Sequence, residues 1–154
     1  MNYLLLENYI KNVLEENNIS ELYVFDFDMT LYNHETESWI EETISHLEKG
    51  LQSPNIRVVL CTARSNKEEY ISSTEKLLNQ RNLSLDNFDH CYFKSISRKE
   101  KTPEYKSNVI LDEITADESI VKVKFWDDRG DTLERVKEDI RKYNSDIEYI
   151  AVKC

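Results

Sequence analysis

An apolar run, Leu22-Tyr23-Val24-Phe25, leads directly into Asp26-Phe27-Asp28-Met29-Thr30. A second, Ile120-Val121-Lys122-Val123-Lys124-Phe125-Trp126, ends on Asp127-Asp128. Strand side chains alternate between faces, so Asp26 and Asp28 are expected to project the same way from the carboxyl end of a strand. That end is where open α/β sheets bind ligands. If the two strands are neighbours, four carboxylates share one crevice. Such a cluster is too costly unless protons or a cation neutralise it. A purely oxygen donor set points to a hard ion, Mg²⁺, rather than to zinc or copper.

Short apolar runs alternate with amphipathic segments along the rest of the chain. Strands are expected near 22–26, 56–61, 89–94, 121–126 and 147–152, and helices near 2–16, 36–49, 66–82, 103–115 and 131–143. That alternation predicts an α/β fold, a mostly parallel five-stranded sheet with helices on both faces. Ser65-Asn66-Lys67-Glu68 reads as a capping box, followed by a stripe of Tyr70, Ile71, Thr74, Leu77 and Leu78. Thr102-Pro103 reads as a cap and first turn. The stripes Trp39-Ile40-Thr43-Ile44-Leu47 and Leu133-Val136-Ile140 are assigned to the core. A stripe of Leu6, Ile10, Val13 and Leu14 in the first helix either packs on the sheet or serves a partner. The spacing between Asp28 and the second strand, and between Thr62 and the third, leaves room for one helix each, so no large cap domain is expected.

At 154 residues, 40% hydrophobic and 32% charged, the chain predicts a single soluble domain over 1–154. It would consist of an N-terminal helix within 1–18 and a core over 22–152. The opening residues match neither a signal peptide nor a membrane span, so an intracellular, cytoplasmic location is expected. Cys61, Cys91 and Cys154 share no metal-ligand spacing, and the first two read as free thiols in apolar strands. A net charge of −10 opposes a broad basic surface for nucleic acid. A local rim drawn from Arg64, Arg98, Lys99, Lys101, Lys106 and Arg129 could still hold one phosphate.

Asp-x-Asp-x-Thr after a hydrophobic strand resembles the first motif of the haloacid dehalogenase-like (HAD) superfamily. Val58-Val59-Leu60-Cys61-Thr62-Ala63-Arg64 resembles the second, a Thr ending the next strand, and Lys124-Phe125-Trp126-Asp127-Asp128-Arg129 the fourth. The third, a lysine near the start of the helix before that strand, is matched by Lys106, with Lys101 as the second choice. The Thr-Ala-Arg and Asp-Asp-Arg forms are similar to the HAD domain of Swiss Army Knife RNA-repair proteins and to the phosphatase half of phage polynucleotide kinase–phosphatase. Met29 and Ala63 stand where such motifs more commonly have Gly. Met29 must therefore avoid positive φ or bear strain.

The resemblance implies a three-layer Rossmann-like fold and a Mg²⁺-dependent phosphatase working through an aspartyl-phosphate. Asp26 would be the nucleophile and Asp28 the acid that protonates the leaving alcohol and then deprotonates water. Thr62 would bind a phosphate oxygen, and Lys106 would neutralise charge on the transferring phosphoryl group. Asp26, Asp28 (through its carbonyl), Asp127 and Asp128 would hold the metal. Arg64, Thr30 and Arg129 would contact substrate, with Arg129 equally able to pair with a nearby carboxylate. His34 reads as a solvated loop histidine in a small flap after the first motif. The expected substrate is a phosphate monoester, with an RNA or DNA 3′-phosphate end as the sharper expectation. Small-molecule phosphatases and non-catalytic phosphate-binding modules are the rivals.

Overall fold

The computed structural model describes residues 3–7 and 18–154. Residues 3–7 are helical, and the remainder of the helix expected over 2–16, including Ile10, Val13 and Leu14, lies outside the described residues. Five strands, β1 (Glu21–Phe25), β4 (Ile56–Ser65), β5 (His90–Lys94), β6 (Lys122–Asp127) and β7 (Glu148–Lys153), form one sheet in the order β5-β4-β1-β6-β7. Every pairing in it is parallel. Two short antiparallel strands, β2 (Tyr32–Asn33) and β3 (Ser38–Trp39), make a hairpin after β1. The helices are α1 (Glu41–Leu51), α2 (Glu68–Asn79), α3 (Thr102–Ala116) and α4 (Gly130–Tyr143). Between β1 and β4 stand the hairpin and one helix, and between β4 and β5 one helix and a 3₁₀ turn, so among the described residues no cap domain is inserted at either crossover. Among the described residues no helix is long and apolar enough to cross a membrane.

The period-2 pattern sorts the core into two layers. Leu22, Val24, Val59, Cys61, Val123 and Phe125 face α3 and α4, where Val109, Ile110, Ile114, Leu133, Val136 and Ile140 meet them. Tyr23, Phe25, Val58, Leu60 and Trp126 face the other way, towards Ile44, Leu47 and Leu78 and the hairpin's Tyr32. Gly50 lets α1 approach the sheet closely: a Cβ there would lie 3.0 Å from Tyr23 and 3.1 Å from Val58.

Three local expectations change. Residues 38–39, placed at the start of a helix over 36–49, pair instead in the hairpin, because Trp39 packs its ring on Tyr32 and Phe27. Ser65 ends β4 rather than capping α2. The N-cap is Lys67, whose N–H donates to the Ser65 hydroxyl, and Tyr70 is exposed outside the stripe. At α3 the N-cap is Lys101, one residue before Thr102. Of the cysteines, all free, Cys61 is buried, Cys91 half-buried and Cys154 exposed.

The turn after β1 is tight. The Phe27 carbonyl accepts the N–H groups of Thr30, Leu31 and Tyr32, and Met29 sits at φ 59°. Met29 thus bears the strain of left-handed backbone, whereas Ala63 does not. Met29→Gly should stabilise the fold by about 0.5–1 kcal/mol, the relief of strain less the entropy that Gly adds to the unfolded chain. A rise in the urea midpoint at constant slope is the expected reading.

Candidate active site

β1 and β6 are neighbours at the centre of the sheet, and the connections leave them in opposite directions, which makes this the topological switch point. Asp26 follows β1 and extends its ladder, its N–H donating to the Trp126 carbonyl at 3.0 Å. Asp26 continues the register of Leu22 and Val24, and Asp127 that of Val123 and Phe125. Both therefore project towards α3, and Lys106 projects from α3 to meet them. Its Nζ donates to Asp127 Oδ2 at 2.6 Å and lies 2.9 Å from Asp26 Oδ1. Asp26, Lys106 and Asp127 are 5%, 2% and 0% exposed.

Remaining lone pairs are partly used. The Thr30 hydroxyl donates to Asp26 Oδ2 at 3.4 Å, and the Arg129 backbone N–H donates to Asp127 Oδ1 at 2.8 Å. Asp128 joins Asp26 and Asp127 in a group in which one carboxylate oxygen from each lies within 4.8 Å of the others. One ammonium against three carboxylates leaves a formal charge of −2, the charge a divalent cation would neutralise, and the donors are all hard oxygens. The residues present therefore fit such an ion.

Electrostatics register the crowding. Burial pushes the Asp26 carboxyl up to about 7, with Lys106 opposing and Asp127 reinforcing the rise. Burial likewise raises Asp127, against the pull of Lys106. For Lys106, burial works against the charge, but Asp26 and Asp127 more than offset it and hold the ammonium above the usual lysine range.

Asp28 stands apart. The strand has ended, the turn re-aims the side chain, and its carboxylate is not part of the Asp26–Asp127–Asp128 group. The expected common projection with Asp26, and four carboxylates in one cluster, give way to three plus one. Arg64 grips Asp28 with Nε at 2.9 Å from Oδ2 and Nη2 at 2.8 Å from Oδ1. Arg64 is itself held: Nη1 donates to Thr74 at 2.9 Å and to Ser73 at 3.3 Å, and the guanidinium lies 4.7 Å from the Phe27 ring centre. Burial disfavours the Asp28 charge, yet the Arg64 fork and His34 outweigh it and hold the carboxyl below its usual range.

The other expected residues separate clearly. Thr62 is buried where β4 loses register with β5, and its hydroxyl oxygen accepts the Arg64 N–H at 3.1 Å, leaving its own hydrogen to donate. Arg64, expected to contact substrate, pairs with Asp28 in the free protein. The Arg129 guanidinium pairs with Asp131 at 2.8 Å on the surface rather than facing the cluster. Lys101 is exposed at the N-cap of α3, so of the two lysines offered for the third motif it is Lys106 that meets the cluster. Sequence reasoning missed His34, whose Nε2 lies against Asp28 Oδ1. No spacing signals it, because the hairpin that delivers it is a tertiary contact.

A parallel α/β sheet with a lysine-bridged aspartate cluster at its switch point defines a haloacid dehalogenase-like domain. The sequence profile of HAD domain family 1 in Swiss Army Knife RNA repair proteins matches residues 8–154, and the chain belongs to that family. Among solved structures, the HAD domain of effector protein Lem4 from Legionella pneumophila is similar at 14% identity. It superposes with a TM-score of 0.57 over 88% of this chain and 86% of that one. An inactive mutant of the same domain gives a TM-score of 0.56 at the same identity and coverage. At that identity the likeness is one of fold. No curated protein matches the sequence.

Proposed function

We propose that this domain is a Mg²⁺-dependent phosphohydrolase that cleaves phosphate monoesters through an aspartyl-phosphate on Asp26. The observation that carries the reading is the buried Asp26–Lys106–Asp127 arrangement with Asp128 beside it. Mg²⁺ on Asp26, Asp127 and Asp128, when bound, would screen the negative charge of the phosphate.

The chain's own residues supply the rest. A carboxylate oxygen of Asp26 attacks phosphorus, the ester P–O bond breaks, and the leaving oxygen takes a proton from Asp28. Water then attacks the aspartyl-phosphate, gives its proton to Asp28, and releases inorganic phosphate with Asp26 regenerated. The Arg64 fork keeps Asp28 ionised in the free protein, which suits the second half. The first half needs it protonated, and an incoming phosphate dianion favours that by bringing negative charge close. Lys106 neutralises charge that develops on the transferring group, and Thr62 donates its hydroxyl hydrogen to a phosphate oxygen.

For substrate, an RNA or DNA 3′-phosphate end is the reading we favour. It is supported by the RNA-repair setting of the family and by a site over which the described residues place no cap domain. The net charge of −10 indicates a grip on the terminal phosphate rather than on a long stretch of backbone. The test is phosphate release from p-nitrophenyl phosphate, mononucleotides and 3′-phosphorylated oligonucleotides, with Mg²⁺ and with EDTA. Release that EDTA abolishes, fastest from the oligonucleotide end, is expected. Preference for mononucleotides would mark a small-molecule phosphatase, and no release from any ester would overturn the reading.

A further inference from the structure

The hairpin β2–β3 does something that the proposed chemistry does not by itself require: it delivers an imidazole to the acid. Its base is fixed by aromatic packing. The Tyr32 and Trp39 rings meet edge to face at 5.1 Å, and each packs on Phe27, at 6.4 and 6.1 Å. The tip is shaped by the Asn33 side chain, whose oxygen accepts the N–H of Glu35 at 2.9 Å. The His34 ring then stands edge-on to Tyr32 at 4.9 Å, with Nε2 directed at Asp28 Oδ1.

The donors on Asp28 are distributed unequally. Oδ1 accepts from Arg64 Nη2 at 2.8 Å, more distantly from Arg64 Nε at 3.1 Å, and from His34. Among the described residues Oδ2 receives a single donor, Arg64 Nε at 2.9 Å. A carboxylate oxygen has two lone pairs, so Oδ1 is saturated while Oδ2 keeps one free. An ionised carboxylate only accepts, so His34 presents Nε2 as N–H. Arg64 Nη2, 3.1 Å from that nitrogen, is a second donor turned to the same oxygen.

We propose that His34 is a positioning residue for the leaving-group step: from the hairpin it saturates Asp28 Oδ1, so that Oδ2 is the oxygen that exchanges a proton with the leaving group and with water. Arg64 reaches Asp28 from β4 and His34 from the hairpin, so the carboxylate is clamped between the sheet and the hairpin. His34 is 42% exposed, and an exposed pair of this kind adds little to fold stability. Its effect therefore falls on the geometry of proton transfer. The inference rests on Asp28 acting as the proton donor in the function proposed above.

The test compares the intact chain with His34→Ala and His34→Gln, with Mg²⁺, on two esters. p-Nitrophenyl phosphate leaves as a stable phenolate and needs no acid, whereas β-glycerophosphate leaves as an alkoxide and does. His34→Ala should lower kcat on β-glycerophosphate about tenfold or more with KM little changed, and on p-nitrophenyl phosphate less than about threefold. His34→Gln, which can present an N–H from a similar distance, should recover part of the loss. In an Asp28→Asn background His34→Ala should add nothing further, as groups acting as a unit are not additive. Equal losses on both esters, or full activity on the alkyl ester, would overturn the proposal.

A second readout is independent of turnover. The ¹⁵N resonance of His34 Nε2 should move between the wild type and Asp28→Asn, and an unchanged resonance would overturn the positioning contact itself. If the wild type turns over neither ester while that resonance moves, the contact stands and it is the phosphohydrolase reading that fails, taking the catalytic role of His34 with it.

Discussion

Asp26→Asn is expected to abolish phosphate release and at the same time to raise the melting temperature of the metal-free protein. Both effects follow from one fact, that Asp26 is a buried carboxylate whose charge the fold disfavours. With the proposed nucleophile removed, the proposed covalent route is closed, and kcat should fall by about 10⁴-fold or more. Stability moves the other way. The rise of the Asp26 carboxyl from its ordinary 3.8 to about 7 corresponds to at most about 4 kcal/mol against the ionised form. Part is forfeited because Lys106 is left with Asp127 as its remaining partner, so a gain of about 2 kcal/mol at pH 8 is expected. For a chain of this size that is roughly 4–8 °C in Tm.

The direction with pH is equally specific. A carboxyl raised in the folded state makes the native protein bind the extra proton between about pH 4 and 7. The Asp26 contribution is thus fully present below pH 4 and is lost as pH rises through about 7. The variant should lack that slope, so the two stability curves converge in acid and separate towards pH 8. Carboxyls held low, such as Asp28 and Asp139, slope oppositely but do so in both proteins. Thermal unfolding of wild type and Asp26→Asn from pH 4 to 8 in EDTA checks this. Parallel curves would show that Asp26 is not the strained group.

Lys106→Met is expected to do the reverse on stability. Removing the ammonium leaves Asp26 and Asp127 buried side by side with no counter-charge, at a cost of about 3–5 kcal/mol near pH 8. Met preserves the length of the apolar stem, so the loss reports charge rather than volume. Two secondary results distinguish this from a packing defect. Lowering the pH to 5 should restore much of the stability, because the carboxylates can then take up protons. Mg²⁺ should stabilise the variant more than the wild type, since the ion then answers a larger excess of negative charge. Activity should fall about 10²–10³-fold through the lost stabilisation of the phosphoryl group. Denaturant unfolding at pH 5 and 8, with and without Mg²⁺, reads all of these, and a pH-independent loss would contradict the electrostatic account.

Alternation of apolar runs and amphipathic segments was enough to place all five strands of the sheet within a few residues, and the arrangement of helices on both faces followed. These are legible because a strand's period and a helix's stripe are local properties of the chain. The Asp26–Asp127 pairing was legible for a related reason: both aspartates end apolar strands, and parallel neighbours bring their carboxyl ends together.

What lay beyond the sequence lies where the regular period stops. Counting by twos through Asp26 to Asp28 assumes a strand that in fact ends at Phe25, and the turn pinned on the Phe27 carbonyl sends Asp28 to Arg64 instead. The partner that Arg64 meets depends on Thr74 and Phe27 standing around it. His34 acquires its place from a hairpin closed by aromatic packing. By itself, then, the sequence determined the sheet, its layers and the aspartates at its centre, because these follow from local periodicity and residue type. The tertiary structure decided which cation each aspartate meets, because that depends on how turns and helices re-aim side chains across distances no local pattern encodes.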